Sequence, residues 1–569
     1  MLIVIISWIY YTLLCVIIGI GLERFLVKII KPTWKFQAID YMVAGIVGIT
    51  IYASFFSLLY KVGMIAHLGI LLAAIAIGYI NRKFLADLLK RGRQLLFSWE
   101  GFFFLCFIIL IAFFTSRGNF HTDTNIYHAQ NIRLYEEYGI LKGMANLQLH
   151  YGYNSLYLAF VAVLSMSWIL PWSLHTTTGF IEVILCLYAL HHLKDFKRHK
   201  DHLEDAGCVA ILAYALVNIT GSMSPATDYP TMFLSLYMIT VWLRAIEERA
   251  HYSVYAILSV FAVFLGTLKL SAIAMAFVVV YPAFFLLKEK KWKEIVIFIG
   301  MGMIVLLPYL IRNVILSGWL IYPFEAIDLF NVEWKVPLEY LLVDANQIKV
   351  WGRCLYDINL IDMPMKQWIP IWWESQERYS QMLLLSNVLG MILAGCNLYY
   401  KWKNRMEVRT EMLTLYAGMI ASAVLWFVQA PFVRYGLGFL LVIPVLAMAS
   451  WYDYEKRGLQ SIVTGSVVFL MFLCFSPYVD HYTTDAGVFL KQRLKEPYYI
   501  CQKDYDLGSI GNYEINGNII YYNDYIEEEG ERNSYHYFPN TCYEFMLERS
   551  TLVGNDIKDG FIPKTNIGK

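Results

Sequence analysis

Charge is what this sequence has least of. Asp, Glu, Lys and Arg make up 16% of its 569 residues, whereas a soluble domain keeps about a quarter of its residues charged because its surface faces water. A chain with 58% hydrophobic residues and a mean hydropathy of +0.49 cannot hide all its apolar surface, so much of that surface faces lipid. An excess of either sign is also missing. The formal net charge is +1, and no nucleic-acid partner is expected. The nine cysteines contain no CxxC pair, which removes the usual thiolate metal site. The first apolar stretch, Leu2 to Gly21, has no basic residues before it and is followed by Arg24, Lys28, Lys31 and Lys35. It reads as a first membrane span rather than a signal peptide.

Long apolar runs are abundant instead. A span needs about 17–25 apolar residues, and candidates lie at 2–21, 39–60, 64–80, 97–115, 155–170, 173–192, 206–220, 230–247, 252–268, 271–287, 294–313, 379–400, 412–430, 435–452 and 459–476. Some are short, so the expected architecture is an all-α polytopic integral membrane protein with about 13–15 transmembrane helices. Aromatic residues, at 16%, suit interfacial belts. Six cysteines (Cys15, Cys106, Cys186, Cys208, Cys396, Cys474) lie within apolar runs and read as small apolar residues. Cys354, Cys501 and Cys542 lie in polar stretches, and Cys501 could pair with Cys542 if that segment faces an oxidising compartment.

Lys and Arg collect in 22–38, 81–96, 193–202, 288–293, 401–409 and 456–457, which places those loops in the cytoplasm. Segments 116–154, 221–229, 314–378 and 477–569 then face outward. The tail from 477 onward agrees, with nine basic against fifteen acidic residues. One conflict follows. An odd number of crossings must separate 123 from 197, yet two apolar stretches are seen, split at Pro171. One of them is a half-span or lies along the interface. The Trp-rich stretch 316–378 is expected along the outer membrane surface. Three regions result: N-terminal spans at 1–96, a spanning module at 97–476 and an extracytoplasmic C-terminal segment at 477–569.

Chemistry concentrates in the outer loops. Asp123 follows a span directly, at the membrane–water boundary, with His121, His128 and Tyr127 nearby. It can act as a general base or hold a cation; the plainer reading is that Asp123 or Thr124 caps the helix at 125–138. His121 and His128 suggest a metal, but their spacing to Asp123 matches no ligand pattern. Asp228 stands at the mouth of a span, either as a second acid or as a turn former. Lys269, Arg312 and Arg434 lie near the outer ends of spans. A cation within a span costs about 2.5–3.5 kcal/mol and so faces a partner, an aqueous cavity or the headgroups. Pro308 is expected to break the helix ahead of Arg312.

These residues resemble a known family. The run His121-Thr-Asp-Thr-Asn-Ile-Tyr-His128, the stretch from Arg312 to Pro323 and Pro431-Phe-Val-Arg-Tyr-Gly436 look similar to the C-type (GT-C) superfamily of membrane glycosyltransferases, and to a group of bacterial multispanning proteins with that layout. The resemblance implies inverting transfer of a sugar from a polyprenyl-phosphate carrier to an envelope glycan or lipid acceptor on the outer face of a bacterial cell membrane. Asp123 matches the superfamily's acidic residue as catalytic base, with Asp228 as a second acid. His121 and His128 would bind substrate, and Lys269, Arg312 and Arg434 would stabilise the lipid-phosphate leaving group. The first loop lacks an Asp-x-Asp pair, so a divalent cation, Mg or Mn, is an open question; its ligands would be Asp123 and Asp228. Two other classes compete. A polysaccharide polymerase or ligase would use similar substrates, but usually with arginine-rich outer loops. A transporter would favour charges at the midplane and related halves, and no internal repeat is seen.

Overall fold

The computed structural model describes residues 1–30, 34–118, 123–199, 201–451, 498–524 and 533–564. The expected span at 459–476, with Cys474, lies outside the described residues.

The chain opens with α1 (Leu2–Ile30) and α2 (Ala38–Ser57), which pack closely because Gly19 lies on the Tyr41 backbone and Gly45 on that of Cys15. A side chain at either glycine would hold the helices apart. Next come α3 (Met64–Ile80) and α4 (Arg82–Leu96), bent from one another by 93°. The region read as a basic loop is thus an amphipathic helix with no buried residue, turned across the end of α3. After α5 (Trp99–Thr115) the chain forms the short α6 (Ala129–Glu137), α7 (Met144–Leu147) and α8 (Leu156–Leu164), then α9 (Thr177–Leu193), α10 (Leu203–Val217) and α11 (Asp228–Glu247). The second half holds α12 (Tyr252–Leu268), α13 (Val280–Lys288), α14 (Trp292–Ser317), α15 (Leu338–Gly352), α16 (Met365–Glu374), α17 (Arg378–Lys403), α18 (Thr410–Gln429) and α19 (Val433–Ala449).

Among the described residues, six helices are long and apolar enough to cross a membrane, or seven if the bent α3–α4 pair counts as one span. This is fewer than the sequence suggests, because several apolar runs form shorter helices enclosed by others. The clearest case is α8: all nine of its residues are buried, and at 1.5 Å per residue it is about 13 Å long. It is the half-length element between 123 and 197, and it precedes the longer, 17-residue α9. Large apolar side chains on α1, α5, α14 and α17, such as Ile9, Phe103, Ile304 and Leu389, point outward. That is the inverse of a water-soluble surface.

The helix ends sort by charge. At one end Arg244 meets Asp40, Lys194 meets Glu100 and Arg409 donates to the Ile246 carbonyl, so the basic loops among the described residues gather there. At the other end lie the start of α6, the start of α11 and the start of α19. The Trp-rich stretch forms α15 and α16 and buries Trp319, Trp368 and Trp372 in protein.

The C-terminal segment is a cap of short strands. β1 (Ile510–Ile515) and β2 (Asn518–Asn523) form a hairpin, β3 (Asn540–Thr541) adds parallel to β2, and β4 (Ser550–Leu552) pairs with β5 (Phe561–Pro563). The hairpin turns at Asn516-Gly517, both with positive φ, as a tight two-residue turn requires. Ile515, Ile520, Leu547 and Phe561 share one core with Leu134, Met144, Leu147 and Leu316 of the helical body. No disulfide joins Cys501 to Cys542, so the possible pairing is not formed.

Candidate functional site

Asp123 opens the helix that follows the first loop, and its carboxylate makes no capping bond to the first turn. It faces Arg434 instead, with Nη2 at 3.4 Å from Oδ2. That first turn, Thr124–His128, is a π-turn leading into α6, a distortion that occurs often at functional sites. The wide turn is held from outside. The Thr124 and Ser224 hydroxyls are in contact, and Thr178 donates to the Ser224 carbonyl at 2.7 Å. From the C-terminal cap, Asn533 donates through its backbone to the Asn125 carbonyl and through its side chain to that of Ile126, at 2.8 and 2.6 Å.

The Ser224 contacts bring the second loop to the first, and with it Asp228 at the head of α11. Asp228 is buried. Its Oδ1 contacts Lys269 Nζ, and its Oδ2 lies 3.7 Å from Arg434 Nε. Lys269 occupies an extended break between α12 and the 3-10 turn Leu270–Val279, which turns a cation inside an apolar run towards its partner. Its ammonium also lies 4.3 Å from the centre of the Tyr435 ring. Arg434 stands in the first turn of α19, where the helix dipole disfavours a cation, and the two carboxylates offset that penalty. Its guanidinium packs on Tyr435 and Phe432 at 5.0 and 5.2 Å.

Asp123, Asp228, Lys269 and Arg434 therefore converge from four separate segments. Their exposure is graded: Asp228 keeps 3% of its side-chain surface, whereas Asp123 and Arg434 keep 25% and 30%, so a ligand can reach the outer pair. Two carboxylates balance two cations. A divalent ion between Asp123 and Asp228 would have to displace Arg434, so these residues fit a metal poorly.

Arg312 is not part of this group, which corrects the expectation that three cations share one site. It is buried on α14, which runs unbroken through Pro308. Its Nη1 donates to Ser57 Oγ at 2.6 Å and the Gly139 carbonyl at 2.9 Å, and its guanidinium stacks on Tyr135 at 3.8 Å. These neutral partners satisfy the charge and pin α14 to the ends of α2 and α6. His128 is buried with its ring 4.2 Å from that of Tyr127. His121 lies outside the described residues.

An aromatic shelf, of which the sequence motif names only Tyr127, adjoins the acids. Tyr127 stacks on His150 at 5.6 Å and meets Tyr153 edge-on at 5.5 Å. Burial pushes the Tyr127 phenol upward and the neighbouring Asp123 adds to the shift. At its far side Tyr153 donates to Asp344 on α15 at 2.6 Å. Burial raises the Asp344 carboxyl, with His150 and the Tyr153 and Tyr322 hydroxyls opposing. With aromatic residues so common throughout the chain, nothing local marked His150 or Tyr153.

No curated protein and no solved structure matches the chain. Residues 1–441, which include all four members of the charge cluster, match the family described as Domain of unknown function (DUF8201), and the chain belongs to that family.

Proposed function

We propose that the protein is a multi-pass cell-membrane glycosyltransferase of the GT-C layout, with its basic-loop end in the cytoplasm and the charge cluster outside. One observation carries the reading. Two acids and two cations, 311 residues apart at the extremes, meet within 3.7 Å at the end of the bundle opposite the basic loops.

In this reading Arg434 turns from Asp123 and, with Lys269, meets the phosphate of a polyprenyl-phosphate-linked sugar, where negative charge grows as the bond to the anomeric carbon breaks. Asp123, released from Arg434, takes the proton of the acceptor hydroxyl as that oxygen forms the new bond from the opposite face. The electron pair leaves with the polyprenyl phosphate. Asp228 keeps Lys269 and Arg434 aligned. The Tyr127–His150–Tyr153 shelf offers ring faces to the sugar. The neighbouring apolar helices receive the lipid tail.

Asp123→Asn keeps size and polarity but removes the base. Membrane vesicles bearing this variant, supplied with polyprenyl-phosphate-linked hexoses and an envelope glycan or lipid acceptor, should lose at least ~100-fold in transfer at unchanged protein level. Wild-type transfer by Asp123→Asn refutes the role of base.

A further inference from the structure

At the other end of α9 and α10 the chain gathers a second cluster with a different donor set. His192 sits in the last turn of α9, His199 follows a 3-10 turn at Phe196–Arg198, and Asp205 lies in the first turn of α10. His192 Nε2 is 2.9 Å and His199 Nδ1 2.8 Å from Asp205 Oδ1, and the three ligand atoms all lie within 4.8 Å of one another. Among the described residues this is the single group of three such donors so arranged. Neighbouring ligands around a tetrahedral zinc ion stand about 3.3 Å apart, given bonds of about 2.0 Å, so small rotations admit an ion.

The surroundings match what metal-bound imidazoles need. The other ring nitrogen of His192 faces Glu204 Oε1 at 3.6 Å, and Glu204 is itself fixed by the Tyr188 hydroxyl at 2.6 Å. A carboxylate behind a ligating histidine sets its tautomer and raises its basicity. His202 Nδ1 holds the second Asp205 oxygen at 2.6 Å, orienting the carboxylate. Two nearby cations are engaged elsewhere, Lys194 by Glu100 at 2.8 Å and Arg198 by Asp195 at 2.9 Å. Asp205 keeps 3% side-chain exposure, while His192 and His199 keep 18% and 22%, so an ion can enter from one side.

We propose that His192, His199 and Asp205 bind a divalent first-row transition metal ion, zinc by preference, which ties the α9–α10 turn together. The site is separate from the charge cluster. Thr178, at the start of α9, touches the Ser224 loop, and the 17 residues of α9 put about 25 Å between its two ends. Imidazole and carboxylate donors favour this ion class over Mg or Ca.

The test uses the full chain, purified in detergent with a histidine-free affinity tag, stripped with chelator and titrated with Zn²⁺ or Co²⁺. The expected result is one retained equivalent per chain, a visible Co²⁺ absorption band of a four-coordinate ion, and a rise in melting temperature when Zn²⁺ is restored. His192→Gln with His199→Gln should lose the equivalent and the band. If that pair does not fold, His199→Gln alone, outside the helices, should bind at least ~10-fold more weakly. Retention by wild type of less than about a tenth of an equivalent at ~10 µM Zn²⁺ overturns the proposal and leaves a histidine–carboxylate network that binds only protons. Undiminished binding by the variants overturns it equally. None of these readouts depends on sugar transfer.

Discussion

Asp40 and Asp123 both stand at the start of a helix, both meet an arginine from a distant segment, and the structure holds them in opposite ways. Asp40 accepts from Arg244 at 2.7 Å, Tyr237 at 2.7 Å and the Gln37 backbone at 2.8 Å. The pair is closed, with 4% and 1% of side-chain surface left, and Trp34 covers the guanidinium at 4.7 Å. Asp123 meets Arg434 at 3.4 Å, and both side chains keep a quarter or more of their surface. A short, enclosed pair has given its capacity to the fold. A longer, open one can exchange its partner for a ligand. Arg312 belongs with the first kind, although its partners are neutral.

The sharpest way to break this comparison is to neutralise both acids. Asp40→Asn leaves the buried Arg244 without its counter-charge, and thermal or denaturant unfolding in detergent should show a loss of about 3–5 kcal/mol. Asp123→Asn, at a partly exposed pair, should cost less than about 1 kcal/mol. Equal losses would mean that the open pair is structural too. A smaller effect is expected at the brace between cap and site. Asn533→Ala removes donors to the Ile126 carbonyl at 2.6 Å and Gln148 Oε1 at 3.0 Å. It should cost about 1–3 kcal/mol, with faster amide exchange at 124–137. Unchanged exchange there would show that the π-turn stands without the cap.

The four converging charges were legible because each breaks an apolar run or sits at its edge, and a charge there demands a partner. The same logic misplaced Arg312, since hydrogen-bond acceptors such as Ser57 Oγ and the Gly139 carbonyl leave no mark in the sequence. Loop charge sorted the two ends, and Asn516-Gly517 announced its hairpin. Helix length was less readable. Hydropathy does not separate the enclosed nine residues of α8 from a stretch facing lipid. Of the His192–His199–Asp205 group only His199 falls in the basic loop 193–202, and nothing joins the three in sequence, because α9 and α10 must fold back before the imidazoles share one carboxylate. The aromatic shelf was hidden by sheer abundance.

The smallest expected effect concerns Glu136, which joins α6 to the cap and should make that junction depend on pH. Its carboxylate accepts from Ser165 at 2.5 Å, Ser173 at 2.9 Å and Tyr535 at 3.0 Å. Burial raises its proton affinity, while those hydroxyls and Arg133 pull the other way without cancelling the rise. The folded chain then keeps this proton to higher pH than the unfolded chain, whose value is near 4.5. By linkage, this group's contribution is full below that value and declines as pH rises through the folded-state value. Glu136→Gln keeps an acceptor but cannot ionise, so it should flatten the slope. Amide exchange across 533–541 at about pH 5 and about pH 8, corrected for intrinsic rates, should show wild-type protection falling by more than that of Glu136→Gln. Parallel slopes would mean that Glu136 is ionised in the fold and that its hydroxyl donors outweigh its burial.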